Sequence, residues 1–312
     1  MGFINRNYYL EEPVRAFLFL MRELNVTQAQ AQKIVGTGRL IVNGEVWKRS
    51  GQPIQGHIAI KMFVPQAKGI KPIFTTPDFG IFDKPSGILV HPTTRRTPYS
   101  LLDEMRHIYG KDANAIHRLD METSGLLLVS RNKESERRLK LMFEDRGVQK
   151  SYLAWVRGRI DEPFDVDVPL KQNNDFSTVK LKMLVHPEGK KAFTHFEPVE
   201  YDSVHDATLV HAFPYTGRQH QIRVHLFHVK HPIIGDPIYG VPTEIAIKYL
   251  DKELSEEERL YYMGAKRLLL HAQTLRFAYQ GVTYHFSSKF DFESLKEMII
   301  KPEKRFNPYS QG

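Results

Sequence analysis

A carboxylate set between an Arg-Leu pair and a Thr-Ser-Gly turn, with an apolar run behind it, leaves residues 117–129 few ways to fold. The stretch HRLDMETSGLLLV reads as a loop that turns at a glycine and enters a buried strand over residues 125–130. Asp120 is thereby fixed on a rigid edge. Arg118, two residues before it, suits a phosphate or the space left by a displaced base.

The rest of the composition bounds what that edge can serve. A chain of 312 residues suits two domains and can bury a core, and 41% hydrophobic residues with a mean hydropathy of −0.40 describe a globular protein. No apolar run approaches the roughly 18 residues of a spanning helix. The opening MGFINRNYYLEEP lacks the basic-then-apolar layout of a secretory signal, so the cytoplasm is the expected compartment. The chain has no cysteine, which excludes disulfides, thiolate metal sites and cysteine nucleophiles, including those used to methylate carbon 5 of uracil. A net charge of +8 and a pI near 9.4 suit a polyanionic partner.

Three regions follow from the patterning. Residues 12–64 form a small unit. A helix is expected over 14–24, with Val14, Phe17, Leu18 and Met21 at helical spacing, then a second over 28–35 capped at Val26-Thr27. Residues 39–46 read as strand, Asn-Gly turn, strand, and 57–64 as a last strand. Residues 65–72 read as a linker, and 73–312 as a larger α+β unit built on a largely antiparallel, mixed sheet flanked by helices. Its expected strands are 81–84, 125–130, 150–156, 193–201, 207–213 and 276–279, with a helix over 133–145. Residues 243–266 look like a helical insertion whose acidic cluster, 253–258, is solvated, and the tail beyond residue 302 is expected to fray.

Five segments of the larger unit, in order, resemble the RluA-type pseudouridine synthases: DKPSGILVHP (83–92), the stretch around Asp120, KSYLAWV (150–156), TGRQHQIRVHL (216–226) and LLLHA (268–272). The resemblance implies an isomerase that converts uridine in RNA to pseudouridine and needs no cofactor and no metal. It makes Asp120 the nucleophile or base, Arg223 its ion partner and Tyr152 the platform for the extruded base. Arg118 would brace the gap in the RNA, and Leu270 would wall the base edge. Arg218 is the reserve partner for Asp120, with a phosphate contact as its plainer role. The two helices and the GRLIVNGEV hairpin resemble a small RNA-binding domain first described in the fourth protein of the small ribosomal subunit. Arg15, Arg22, Lys33, Arg39, Lys48 and Arg49 would then face RNA. A monomer is expected, with ribosomal RNA ahead of transfer RNA as substrate.

Two other readings compete. The first is an RNA-binding protein of the same ancestry with little turnover. The second is a glycosidase or metal-dependent nuclease, which needs a second acid or a metal cluster near Asp120. Glu122 is the only close carboxylate, and its replacement by Gln is expected to leave isomerisation largely intact. His220, His225, His228 and His231 fall within twelve residues, but only Asp236 stands at ligand spacing beside them and no HExxH pattern appears.

Overall fold

A long strand pair organises the first part of the computed structural model, which describes residues 3–94, 97–173 and 182–309. Two units are distinguished: Met1–Gly69 with His91–Ile108, and Ile70–Val90 with Tyr109–Gly312. The first unit opens with β1 (Phe3–Arg15), followed by α1 (Ala16–Leu24), α2 (Gln28–Gly36), β2 (Leu40–Val42), β3 (Glu45–Trp47) and β4 (Pro53–Phe63). Its sheet runs β1-β4-β2-β3.

The sequence suggested a helix–helix–hairpin module here; α1, α2 and the β2–β3 hairpin are present, and the long β1–β4 pair added to them leaves the unit mainly strand. Asn5, Asn7, Glu11, Glu12 and Pro13 are poor strand formers, so β1 is not legible locally. It forms because its residues pair antiparallel with β4 from Phe3↔Phe63 to Leu10↔Gly56, then resume at Val14↔Ile54. Pro13 lies in the intervening irregularity of an edge strand, where a missing N–H costs least. Tyr8, Leu10 and Val14 thereby reach the core of Phe19, Leu20, Val35, Ile58 and Ile60. The Thr27 cap is a full capping box with Gln30, and Asn43-Gly44 turns the hairpin with both residues at positive φ. The segment read as a linker is fixed by backbone N–H groups: Gln66 donates to Asp103, and Lys68 to Glu104. Both acids are buried on α3 (Leu101–Tyr109).

The second unit is built on a ten-stranded sheet. Its strands in chain order are β5 (Phe74–Thr75), β6 (Phe79–Lys84), β7 (Asn114–Ala115), β8 (Ser124–Ser130), β9 (Val148–Arg157), β10 (Phe164–Asp167), β13 (Phe193–Asp202), β14 (Ala207–Pro214), β15 (Leu270–Tyr279) and β16 (Val282–Ser287). A separate two-stranded ribbon pairs β11 (Leu170–Gln172) with β12 (Met183–Val185). The helices are α4 (Lys133–Glu144), α5 (Gln221–His228), α6 (Thr243–Asp251) and α7 (Glu256–Met263).

Every pairing is antiparallel except β8 with β15, where Ser124 meets His271 and Gly125 meets Ala272. That parallel contact explains the Thr-Ser-Gly sequence. Gly125 has φ +108°, and a Cβ there would run into the backbone of Ala272. All seven residues of β8 are buried, as the apolar run requires.

The acidic cluster 253–258 faces solvent as expected, with Glu253, Glu256 and Glu257 exposed, while Glu258 closes a capping box with Ser255 and pairs with Lys248, and Glu256 pairs with Lys266. One further expectation is corrected. The tail is tied down at Arg305, whose guanidinium donates to the carbonyls of His205 and Asp206.

Candidate active site

Asp120 hangs from the loop between β7 and β8, and that loop is held by its own carbonyls. The Lys84 ammonium donates to the carbonyls of Pro85, Ile88 and Met121 at 2.9, 2.8 and 3.0 Å, using all three of its N–H groups. Gly87 N–H donates to the same Met121 carbonyl at 2.9 Å, and the Ser86 hydroxyl to Glu122 O at 2.6 Å. The DKPSG segment thus cradles the residues that follow Asp120. Burial, with Arg267 adding and Asp120 and Glu122 opposing, brings Lys84 down to about 7.

Arg223, on the first turn of α5, connects the two halves of the site. Its Nη1 donates to Asp120 Oδ2 at 2.8 Å, while Nε and Nη2 grip Asp236 Oδ2 and Oδ1 at 2.7 and 2.8 Å. Asp236 also accepts the backbone N–H groups of Ile238 and Tyr239, so it is fixed before it meets the arginine. One guanidinium therefore serves two carboxylates, of which only Asp120 retains exposure, at 31% of its side chain. Burial alone would raise the Asp120 carboxyl. Arg223 outweighs it with help from His220 and Lys84, and holds the group below the ordinary carboxylate range. Asp120 Oδ1 takes no hydrogen bond among the described residues.

His220, in a left-handed conformation at the entry to α5, places Nε2 3.7 Å from Asp120 Oδ2 and Nδ1 3.1 Å from the Tyr239 hydroxyl. Burial and Arg223 lower it to about 4, so it stands neutral beside the carboxylate at neutral pH. Gln221 ties the preceding loop. Its amide oxygen accepts from the Thr216 hydroxyl and Arg218 N–H, and its NH2 donates to Phe193 O and Thr194.

Tyr152 lies on β9 opposite Ala272, and Leu270 lies opposite Ala154, which puts Tyr152 and Leu270 on the same face of the sheet. Both are buried. Burial, then the Asp120 charge, raises the Tyr152 phenol, so it keeps its proton at neutral pH. Arg118 and Arg218 are exposed. Arg218 Nε donates to Lys191 O at 3.1 Å, which makes Arg223 and not Arg218 the partner of Asp120. Arg118 has no side-chain partner among the described residues. In the first unit Arg22 is paired with Glu23, Arg39 donates to Lys61 O and Arg49 to Gln52. Arg15, Lys33 and Lys48 are exposed and have no side-chain partner among the described residues.

The remaining candidate residues are placed elsewhere. Glu122 is buried, and its carboxylate accepts from Tyr249 OH at 2.6 Å, Arg259 Nη2 at 2.6 Å and Leu268 N–H at 2.8 Å. It is a structural anchor and not a second acid. The four histidines scatter: His225 bonds Thr194 and His231 bonds the Arg157 carbonyl, while His228 is exposed. No group of three metal-ligating side chains occurs among the described residues. Sequence reading missed the role of Asp236, which it weighed only as a metal ligand, and of His220. The signal was the spacing, with two acids and a histidine around an arginine, but only the fold shows which pairs meet.

Residues 78–228 match a family profile for RNA pseudouridylate synthase. A Helicobacter pylori (strain J99) protein described as an uncharacterised RNA pseudouridine synthase is 37% identical over 290 residues, spanning 92% of this chain and 96% of its own. The ribosomal large subunit pseudouridine synthase D of Escherichia coli K12 is 32% identical over 216 residues, 65% of each chain. Among solved structures, human RNA pseudouridylate synthase domain containing 1 superposes with a TM-score of 0.59 at 23% identity, over 77% of this chain and 91% of that one, a likeness of fold.

Proposed function

The chain belongs to the RNA pseudouridine synthase family, and from that premise we propose that Asp120 is the reacting group of an isomerase acting on ribosomal RNA. The observation that carries the assignment is the single buried guanidinium divided between Asp120 and Asp236. It keeps the half-buried Asp120 ionised while leaving Oδ1 free to react.

The reaction breaks the bond from ribose C1′ to uracil N1, turns the base and joins C1′ to C5, whose proton is lost as N1 regains one. No electrons are transferred and no group leaves the RNA. An anionic Asp120 serves this sequence in any of three ways: by attack on the sugar, by attack on the ring, or by taking a proton. Tyr152 supplies a ring face for the displaced uracil and a hydroxyl that donates. Leu270, on the same sheet face, closes the apolar wall. The exposed Arg118 fits the space in the RNA that the base vacates.

The preference for ribosomal RNA rests on the likeness to a large-subunit enzyme and on the basic first unit, whose Arg15, Lys33 and Lys48 would contact phosphates. Treating cellular RNA with the protein or with Asp120→Asn, then mapping pseudouridine by chemical labelling and primer extension, tests the reading. New sites in large-subunit ribosomal RNA are expected from the native protein, with at least about a 10³-fold loss in the variant. Equal modification by both proteins removes Asp120 from the chemistry. New sites only in transfer RNA overturn the choice of substrate.

A further inference from the structure

The insertion of α6 and α7 touches the candidate site with its inner side and offers RNA little with its outer one. Residues 243–266 carry six acidic and four basic residues in a chain whose net charge is +8. Three of those basic residues are already paired, Lys248 with Glu258, Lys266 with Glu256 and Arg259 inward with Glu122. A surface of that composition repels a polyanion.

Inward, Tyr249 of α6 and Arg259 of α7 both end on the carboxylate of Glu122, at 2.6 Å each. Glu122 lies two residues past Asp120, and the backbone carbonyl between them is held by Lys84 and Gly87. The same insertion backs the other member of the ion pair. Ala246 of α6 packs in the cluster that contains Val224, next to Arg223, and Tyr239, whose ring lies 5.2 Å from the Arg223 guanidinium.

We propose that the Glu122–Arg259–Tyr249 cluster is a positioning device, through which α6 and α7 hold the Asp120 loop in register with Arg223. Glu122 is a positioning residue in this scheme, not a catalytic one. Its effect reaches the RNA only through Asp120, so the inference rests on Asp120 being the reacting group. A loop released by a fraction of an ångström would keep RNA affinity and lose rate, because near-attack geometry is what it supplies. Replacing Glu122 by Gln keeps an acceptor for Leu268 N–H but discards the charge facing Arg259, so under this proposal the variant should slow the reaction, where the sequence alone suggested near-neutrality.

The test compares full-length Glu122→Gln, Arg259→Met, Arg259→Lys and Tyr249→Phe with the native protein on transcribed, unmodified large-subunit ribosomal RNA. Single-turnover rate, RNA affinity by filter binding and melting temperature are measured together. Arg259→Met and Glu122→Gln are expected to slow the chemical step about 10–100-fold with affinity within about twofold, the scale seen for residues that orient others. Arg259→Lys should recover part of the rate. Tyr249→Phe, which removes one hydroxyl and is the mildest change, should cost several-fold. The double variant Glu122→Gln/Arg259→Met should be no slower than the slower single one.

Native rates with only a lowered melting temperature overturn the inference, and so does a loss confined to RNA affinity. Asp120→Asn in the same assay separates the two claims. If it is inactive while the cluster variants are native, only the positioning role falls. If it retains activity, the assignment of Asp120 falls first and the positioning role with it.

Discussion

Residues 3–69 and the unit that carries Asp120 treat charge in opposite ways. The first segment buries Phe19, Leu20, Val35, Leu40, Ile58 and Ile60 and no charged side chain, leaving its arginines and lysines at or near the surface. The second buries Lys84, Glu122, Arg223 and Asp236 around its candidate site. Removing a charge from water costs several kcal/mol unless a partner is waiting. In the proposed docking role the first segment would meet phosphates with groups that stay in solvent. The second must hold one carboxylate ionised away from bulk water, and a network of buried partners is the way to do so.

The largest expected difference is in stability. Arg223→Ala strands Asp236, which is 1% exposed, as a buried charge facing a cavity. It should destabilise the protein by about 3–5 kcal/mol, whereas Arg22→Ala, which breaks the exposed pair with Glu23, should change stability by less than about 1 kcal/mol. Denaturant unfolding followed by tryptophan emission measures both, and similar effects would erase the contrast.

Acid should act next, and on the second unit. His117 is lowered to about 3, and His220, His225 and His271 to about 4, each chiefly by burial. From their ordinary 6.5 down to those values the unfolded chain binds protons that the folded one does not, so stability falls as pH drops through that window. Asp120 adds a further loss at lower pH, because its depressed carboxyl contributes stability only while ionised. Hydrogen exchange at pH 7 and pH 5 should show protection lost in β8, β15 and α5 before β1 and β4. The reverse order would place the acid-sensitive groups in the wrong unit.

The smallest effect is on RNA affinity. Replacing Arg15, Lys33 and Lys48 together by Gln should weaken binding by a similar factor across RNA sequences. The slope of log affinity against log salt should fall by roughly 0.7–0.9 for each phosphate that is no longer neutralised. An unchanged slope would leave the first unit without a role in RNA docking.

Local pattern accounts for much of this molecule. The apolar run after Gly125 reads as an interior strand, Thr27 as a helix cap and Asn43-Gly44 as a tight turn, and each forms as read. The five motifs carry the resemblance to the pseudouridine synthases, and the family follows from that resemblance and from the relatives that match, not from spacing alone. β1 was not legible, since Asn, Glu and Pro deny it a strand signature and its pairing with β4 spans about fifty residues. Nor could the order of residues say that Arg223 is shared between Asp120 and Asp236, or that Glu122 faces the insertion and not the pocket. Two carboxylates two positions apart look equivalent along a chain. They diverge once Lys84 and Ser86 fix the intervening carbonyls and Arg259 arrives from α7. Periodicity and turn chemistry are local properties that a sequence carries in itself. The pairing of Asp120 with Arg223 and of Glu122 with Arg259 joins segments more than a hundred residues apart, and only the tertiary structure brings those together.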